Sequence, residues 1–103
     1  YYIVEQKSRT LRLPLKDILY FKSDRKKVTA VTKSGAEEFY GKLSDVESEL
    51  PGHFTRIHNR YLVNTASVSR LTSTSCFCGD EELPVSRAYR QELAVAFARM
   101  MLT

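Results

Sequence analysis

Glycine is scarce in this chain. Only four occur in 103 residues, and none falls in the spacing of a phosphate-cradling loop. Cysteine is scarcer still. Cys76 and Cys78 stand one residue apart, so a strand would place them on one face, where they are poor partners for a loop-closing disulfide. With only His53 and His58 beside them they do not compose a zinc site, and neither a metal nor a cofactor is expected. Free thiols point to a cytoplasmic protein. No apolar run approaches the roughly 20 residues needed to cross a bilayer, so no membrane partner is expected. There is no secretory signal, repeat, low-complexity tract or linker. The chain begins Tyr-Tyr-Ile-Val without an initiator Met, which suggests a single domain, residues 1–103, cut from a longer protein.

What is present is enough for one core. The 43% hydrophobic and 27% charged contents belong to a folded domain rather than a disordered one. Catalysis is not expected. Nucleophilic chemistry needs a base and an orienting acid brought to a Ser or Cys, and no motif does so. The pairs Glu37-Glu38 and Glu81-Glu82 are sequence neighbours, which on strands point to opposite faces.

The hydrophobic pattern is mostly that of strands. Residues 1–6 and 9–15 read as a strand pair around Lys7-Ser8, with Leu11, Leu13 and Leu15 alternating against Arg12 and Pro14. Residues 17–23, 28–32 and 36–40 continue as an antiparallel meander, because the connections are too short for parallel crossovers. Leu43, Val46 and Leu50 recur at helical spacing, and Ser44 followed by Glu47 matches a capping box. Pro51-Gly52 ends that helix. Strands resume through Cys78 and again at Glu82–Ser86. Ser86 is expected to cap a last helix from Arg87 to about Leu102, with Tyr89, Leu93, Phe97 and Met100 as its apolar stripe.

The stretch Phe54–Asn64 (FTRIHNRYLVN) stands apart, because core residues alternate there with groups suited to phosphates and base edges. Two short strands joined by a polar turn at His58-Asn59-Arg60 fit it best. A plain solvated turn, with Asn59 tolerating left-handed backbone, would explain that turn in isolation. Basic residues collect at two further turns or element ends. One is Lys22 with Arg25, Lys26 and Lys27; the other is Arg87 with Arg90. An Arg at a helix N-terminus opposes the macrodipole unless an anion sits there. A net charge of +4 agrees with an anionic partner.

Four segments together resemble the LytTR-type DNA-binding domain of bacterial response regulators. They are Leu15–Phe21 (LKDILYF), Glu38–Leu43 (EFYGKL), Phe54–Asn64 and Leu83–Tyr89 (LPVSRAY), in the family's order and with similar spacing. The resemblance implies an elongated set of small antiparallel sheets with little helix, reading DNA through loops and strand ends. It places the first DNA-contacting loop on Arg25, Lys26 and Lys27, the second on His58, Asn59 and Arg60, and the third on Arg87. Many members have His-Arg-Ser where this chain has His58-Asn59-Arg60. The C-terminal helix is longer than usual for the family, and both packing on the sheet and a dimer contact are open to it.

The expected function is therefore sequence-specific binding of double-stranded DNA by the output domain of a two-component transcription regulator. Phosphate contacts would come from Lys22, Lys26, Arg56, Arg60 and Arg90, and base contacts from Asn59, Arg87 and one first-loop lysine. The resemblance adds direct-repeat sites, a homodimer on DNA and an upstream receiver domain. The competing reading is a β-rich protein-interaction module with a basic face for an acidic partner. Single-stranded RNA binding is weaker, since it requires aromatics exposed on a sheet face.

Overall fold

A computed structural model describes residues 1–102. Two short strands, β1 (Tyr2–Glu5) and β2 (Thr10–Leu13), form a hairpin. Then come β3 (Ile18–Asp24), β4 (Lys27–Thr32) and β5 (Gly35–Tyr40), the helix α1 (Leu43–Glu49), and the hairpin β6 (Phe54–His58) and β7 (Tyr61–Asn64). These strands build a five-stranded antiparallel sheet in the order β5-β4-β3-β7-β6. A second meander, β8 (Val68–Leu71), β9 (Ser75–Cys78) and β10 (Glu81–Pro84), makes a three-stranded sheet. The chain ends in α2 (Arg90–Met101).

The five-stranded sheet carries a core on each face; β3 and β7 read as apolar runs, whereas β4 and β5 alternate, with Val28 and Phe39 inward and Glu38 and Tyr40 exposed. Ile18, Phe21, Val28 and Leu62 face one core, closed by Tyr2 and Val4 of β1 and by Leu43 and Val46 of α1. Tyr20, Ile57 and Val63 face the other, closed by Cys76, Cys78 and Leu83 of the small sheet and by Leu93 of α2. The molecule is accordingly long, 41 × 28 × 24 Å.

Bulges join the layers. The ladder register skips Leu19 on β3 and Ile57 on β6. A bulged residue lies outside the regular pairing and bends its strand. Here both residues turn their carbonyls to the second sheet. Leu19 O accepts the Cys78 Sγ–H at 3.4 Å, and Ile57 O accepts the Ser86 N–H at 2.9 Å. Asn64 ties the end of β7 to the start of β3: its Nδ2 donates to Ile18 O at 2.9 Å, and its Oδ1 accepts from the Ala66 N–H. An apolar residue at 64 would strand a buried carbonyl, at a cost of about 1–3 kcal/mol.

The expected mostly β, elongated arrangement of small antiparallel sheets with one short internal helix and one C-terminal helix is the one observed. Two caps differ. Ser44 lies inside α1, whose N-cap is Lys42 with no side-chain cap bond. Ser86 precedes a 3-10 turn at Arg87–Tyr89, also without a side-chain cap bond, and the α-helix starts only at Arg90. The Ser86 N–H is bonded to Ile57 O of β6.

Burial pushes the Cys76 thiol up to about 12 and the Cys78 thiol up to about 11, from an ordinary 9.0. Cys78 adds to the shift at Cys76. Both thiols stay protonated in the folded state while the unfolded chain ionises them, so their contribution holds below pH 9 and is lost as pH rises toward 11–12. Urea denaturation at pH 8 and pH 10 is expected to show the lower stability at pH 10. Replacing both cysteines by Ala should reduce that difference.

Candidate nucleic-acid interface

Three connections meet at one end of the five-stranded sheet. The β3–β4 turn places Arg25 and Lys26 between the paired residues Asp24 and Lys27. The β6–β7 turn places Asn59 and Arg60 between the paired His58 and Tyr61. The third connection is the segment leaving β10, Ser86-Arg87. Two backbone hydrogen bonds chain these together: Ser23 N–H to Arg60 O, and Ser86 N–H to Ile57 O, each 2.9 Å. The three basic clusters, scattered over more than sixty positions of sequence, are thus neighbours in the fold.

The middle turn is held by its own main chain. Arg56 Nε donates to His58 O at 2.8 Å and Nη2 donates to Asn59 O at 2.7 Å, while Nη1 meets Glu47 Oε1 of α1 at 2.8 Å. His58 Nδ1 accepts the Arg60 N–H at 3.1 Å, which leaves the ring proton on Nε2. The ring sits edge-on to Tyr61, with centroids 5.8 Å apart. Asn59 and Arg60, in contrast, are exposed, and their side chains make no hydrogen bond or ion pair among the described residues. Asn59 is not there for left-handed backbone, since Arg25 is the sole non-glycine with positive φ among the described residues. Its amide is free to recognise something else.

The first turn divides its cations. Lys27 Nζ pairs with Glu38 Oε1 at 3.1 Å and lies 5.3 Å from the Tyr40 ring centroid; that carboxylate raises its pKa. Arg25 and Lys26 have no ionic partner among the described residues, and Lys26 is fixed through its carbonyl, which accepts the Gly41 N–H at 2.9 Å. Arg25 adopts φ 60°, a conformation costing about 1–2 kcal/mol for an L residue with a side chain. Lys22 is exposed on β3 opposite Tyr61, and Arg87 and Arg90 are exposed without ionic partners among the described residues. Of the ten residues proposed from sequence, Arg56 and Lys27 are thus occupied internally, and Arg56 acts first as a brace. Tyr40 escaped notice. It is 65% exposed and, with Asp24, Arg25 and Lys26, lines a shallow depression. Its position after the inward-facing Phe39 was the available signal.

Replacing Arg56 by Ala is expected to cost about 1–3 kcal/mol, the value of hydrogen bonds from a charged donor, measured by urea denaturation. It should also broaden the His58 and Arg60 resonances as the turn loosens. Arg25→Gly is expected to raise stability by about 0.5–1 kcal/mol, the relief of left-handed strain less the entropy of glycine; thermal unfolding checks this.

The sequence model of the LytTr DNA-binding domain matches residues 8–98. A solved structure described as the LytTr DNA-binding domain of a methyl-accepting/DNA response regulator from Bacillus cereus has the same fold. Its TM-score is 0.77 at 20% identity, over 92% of this chain and 94% of that one. No curated protein is matched. The family match spans all three turns, the second core and all of the first core but Tyr2 and Val4, and the chain belongs to the LytTr DNA-binding domain family.

Proposed function

We propose that this domain binds double-stranded DNA sequence-specifically through the three-turn end of its main sheet. The observation that carries the proposal is the pair of backbone hydrogen bonds, Ser23 to Arg60 and Ser86 to Ile57, that gathers the unpaired cations of three separate segments. Lys22, Arg25, Arg60 and Arg90 take phosphates and set the domain's register on the duplex. Asn59 suits the paired donor and acceptor of adenine, and Arg87 the two acceptors of guanine, in a major groove. Lys26 is the first-loop base reader, because Lys27 is held by Glu38. His58 and Arg56 position the middle turn, and Tyr40 packs against the sugar–phosphate edge. No helix enters the groove in this arrangement.

The domain is proposed to be the output part of a two-component transcription regulator, joined in a longer chain to a receiver domain, with copies binding side by side on direct repeats or as a homodimer on DNA. The family's DNA-binding character and the relative's description as a response regulator support this. Cytoplasmic location follows from that role, and no helix among the described residues is long and apolar enough to cross a membrane. No catalytic role is assigned. The exposed groups at this end are mostly cations and an amide, with Asp24 the one acid of the first turn and Tyr40 a lone exposed ring, which favours DNA over a protein-interaction module.

Selection from a random duplex pool supplies the cognate site for the test. Arg87→Ala is expected to cost about 1–3 kcal/mol on that site and to relax preference at one base pair. Arg60→Ala should weaken random and cognate duplexes alike and flatten the salt dependence. Equal loss on both duplexes for Arg87→Ala would remove its reading role, and failure to enrich any duplex would remove the DNA reading.

A further inference from the structure

The small sheet and α2 close only part of the second face of the main sheet, where Tyr20, Ile57 and Val63 are buried. Toward the three turns that face is open. Residues paired across antiparallel strands share a face. Tyr61, Lys22, Thr29 and Glu38 therefore form one row across β7, β3, β4 and β5. Asp24, Lys27 and Tyr40 form the next. Alternation sets both rows opposite Phe21, Val28 and Phe39 of the first core. The two lysines and the exposed Tyr40 ring give this strip the groups that hold a phosphate backbone of any sequence.

Glu38 stands within that strip, and its Oε1 meets Lys27 Nζ at 3.1 Å. Its main chain is held from the other side. Arg9, in the β1–β2 turn, donates from Nη2 to Glu38 O and from Nη1 to Glu37 Oε2, the latter at 3.4 Å. Gln6 Oε1 accepts the Tyr40 N–H at 3.2 Å. Side chains thus hold the edge of β5 where a further strand would otherwise pair. Glu37 is neutralised in this way, whereas the Glu38 carboxylate stays on the strip. An ion pair as exposed as Lys27–Glu38 contributes little to stability. Its effect is on charge: Lys27 is withdrawn from the cations on offer, and a negative group stands where a phosphate would lie. Asp24, the other acid of the strip, meets no cation among the described residues.

We propose that Glu38 is a specificity-determining residue that acts by repulsion: it keeps duplexes off the open strip, so that the domain engages DNA through its three turns. The proposal rests on the DNA reading above. Non-specific binding is almost wholly phosphate contact, and a domain not locked to one register is free to lean on the strip. In the end-on complex Lys27 lies on the side of the sheet rather than at its tip, so the pair with Glu38 costs that complex little. Discrimination is a difference of two affinities, and a group that penalises the wrong complex raises it as surely as one that favours the right complex.

The test compares the wild-type chain with E38Q, which keeps the shape and removes the charge. Both are titrated against the selected cognate duplex and a random duplex over a series of salt concentrations, with circular dichroism confirming the fold. E38Q is expected to tighten random-duplex binding about fivefold to tenfold at about 0.1 M salt, and to steepen its salt dependence by about one phosphate contact. Cognate affinity should change by less than about twofold, so that discrimination falls. E38D should behave as the wild type, and K27Q/E38Q should lose the gain. Equal gains on both duplexes, an unchanged salt slope, or a gain that survives in K27Q/E38Q would each overturn the role of Glu38 and leave the DNA reading in place. A wild-type chain that selects no duplex would overturn the DNA reading and this proposal together.

Discussion

The bond from Ser86 N–H to Ile57 O is the joint on which the working end depends. Ile57 sits at the bulge of β6, the edge strand of its sheet, with its side chain in the second core and its carbonyl toward the strand leaving β10. Suppose that bond were missing. The segment bearing Arg87 would then have had no fixed place beside the middle turn. Packing supports the same geometry: Ile57, Leu83 and Val85 belong to one buried cluster.

A sheet covered on both sides suits a protein that reads with its end. Each face holds a core, the second one leaving Lys22, Glu38 and Tyr40 exposed, and the turns where strands reverse are exposed at the end of the sheet. Those turns are stiffened by short-range bonds rather than by depth of burial. Arg56 ties the middle turn to α1 through Glu47, and Lys26 is tied to the residue after β5 through Gly41. Stiffness of this kind matters for recognition, since holding a side chain ready reduces the entropy lost on binding.

Much of this was legible in the sequence. Alternation and short spacers gave the antiparallel meander, helical periodicity gave α1 and α2, and the three basic clusters fell on connections that do converge. Less legible was which cation is free. Arg56 and Arg60 look alike in sequence, but the inward lean of one toward Glu47 and two carbonyls depends on where α1 docks. Lys26 and Lys27 differ only by register, which sets Lys27 opposite Tyr40 and beside Glu38. The capping motifs at Ser44 and Ser86 misled because the helices begin elsewhere, α1 after Lys42 and α2 at Arg90 beyond a 3-10 turn.

The middle turn carries a further implication. Its backbone carbonyls are satisfied by Arg56 and its shape by His58, so position 59 contributes a side chain to neither. Its backbone angle demands no special residue. Exchanging Asn59 for another polar residue would therefore leave the fold's energy nearly untouched, so this position can vary without cost to the turn.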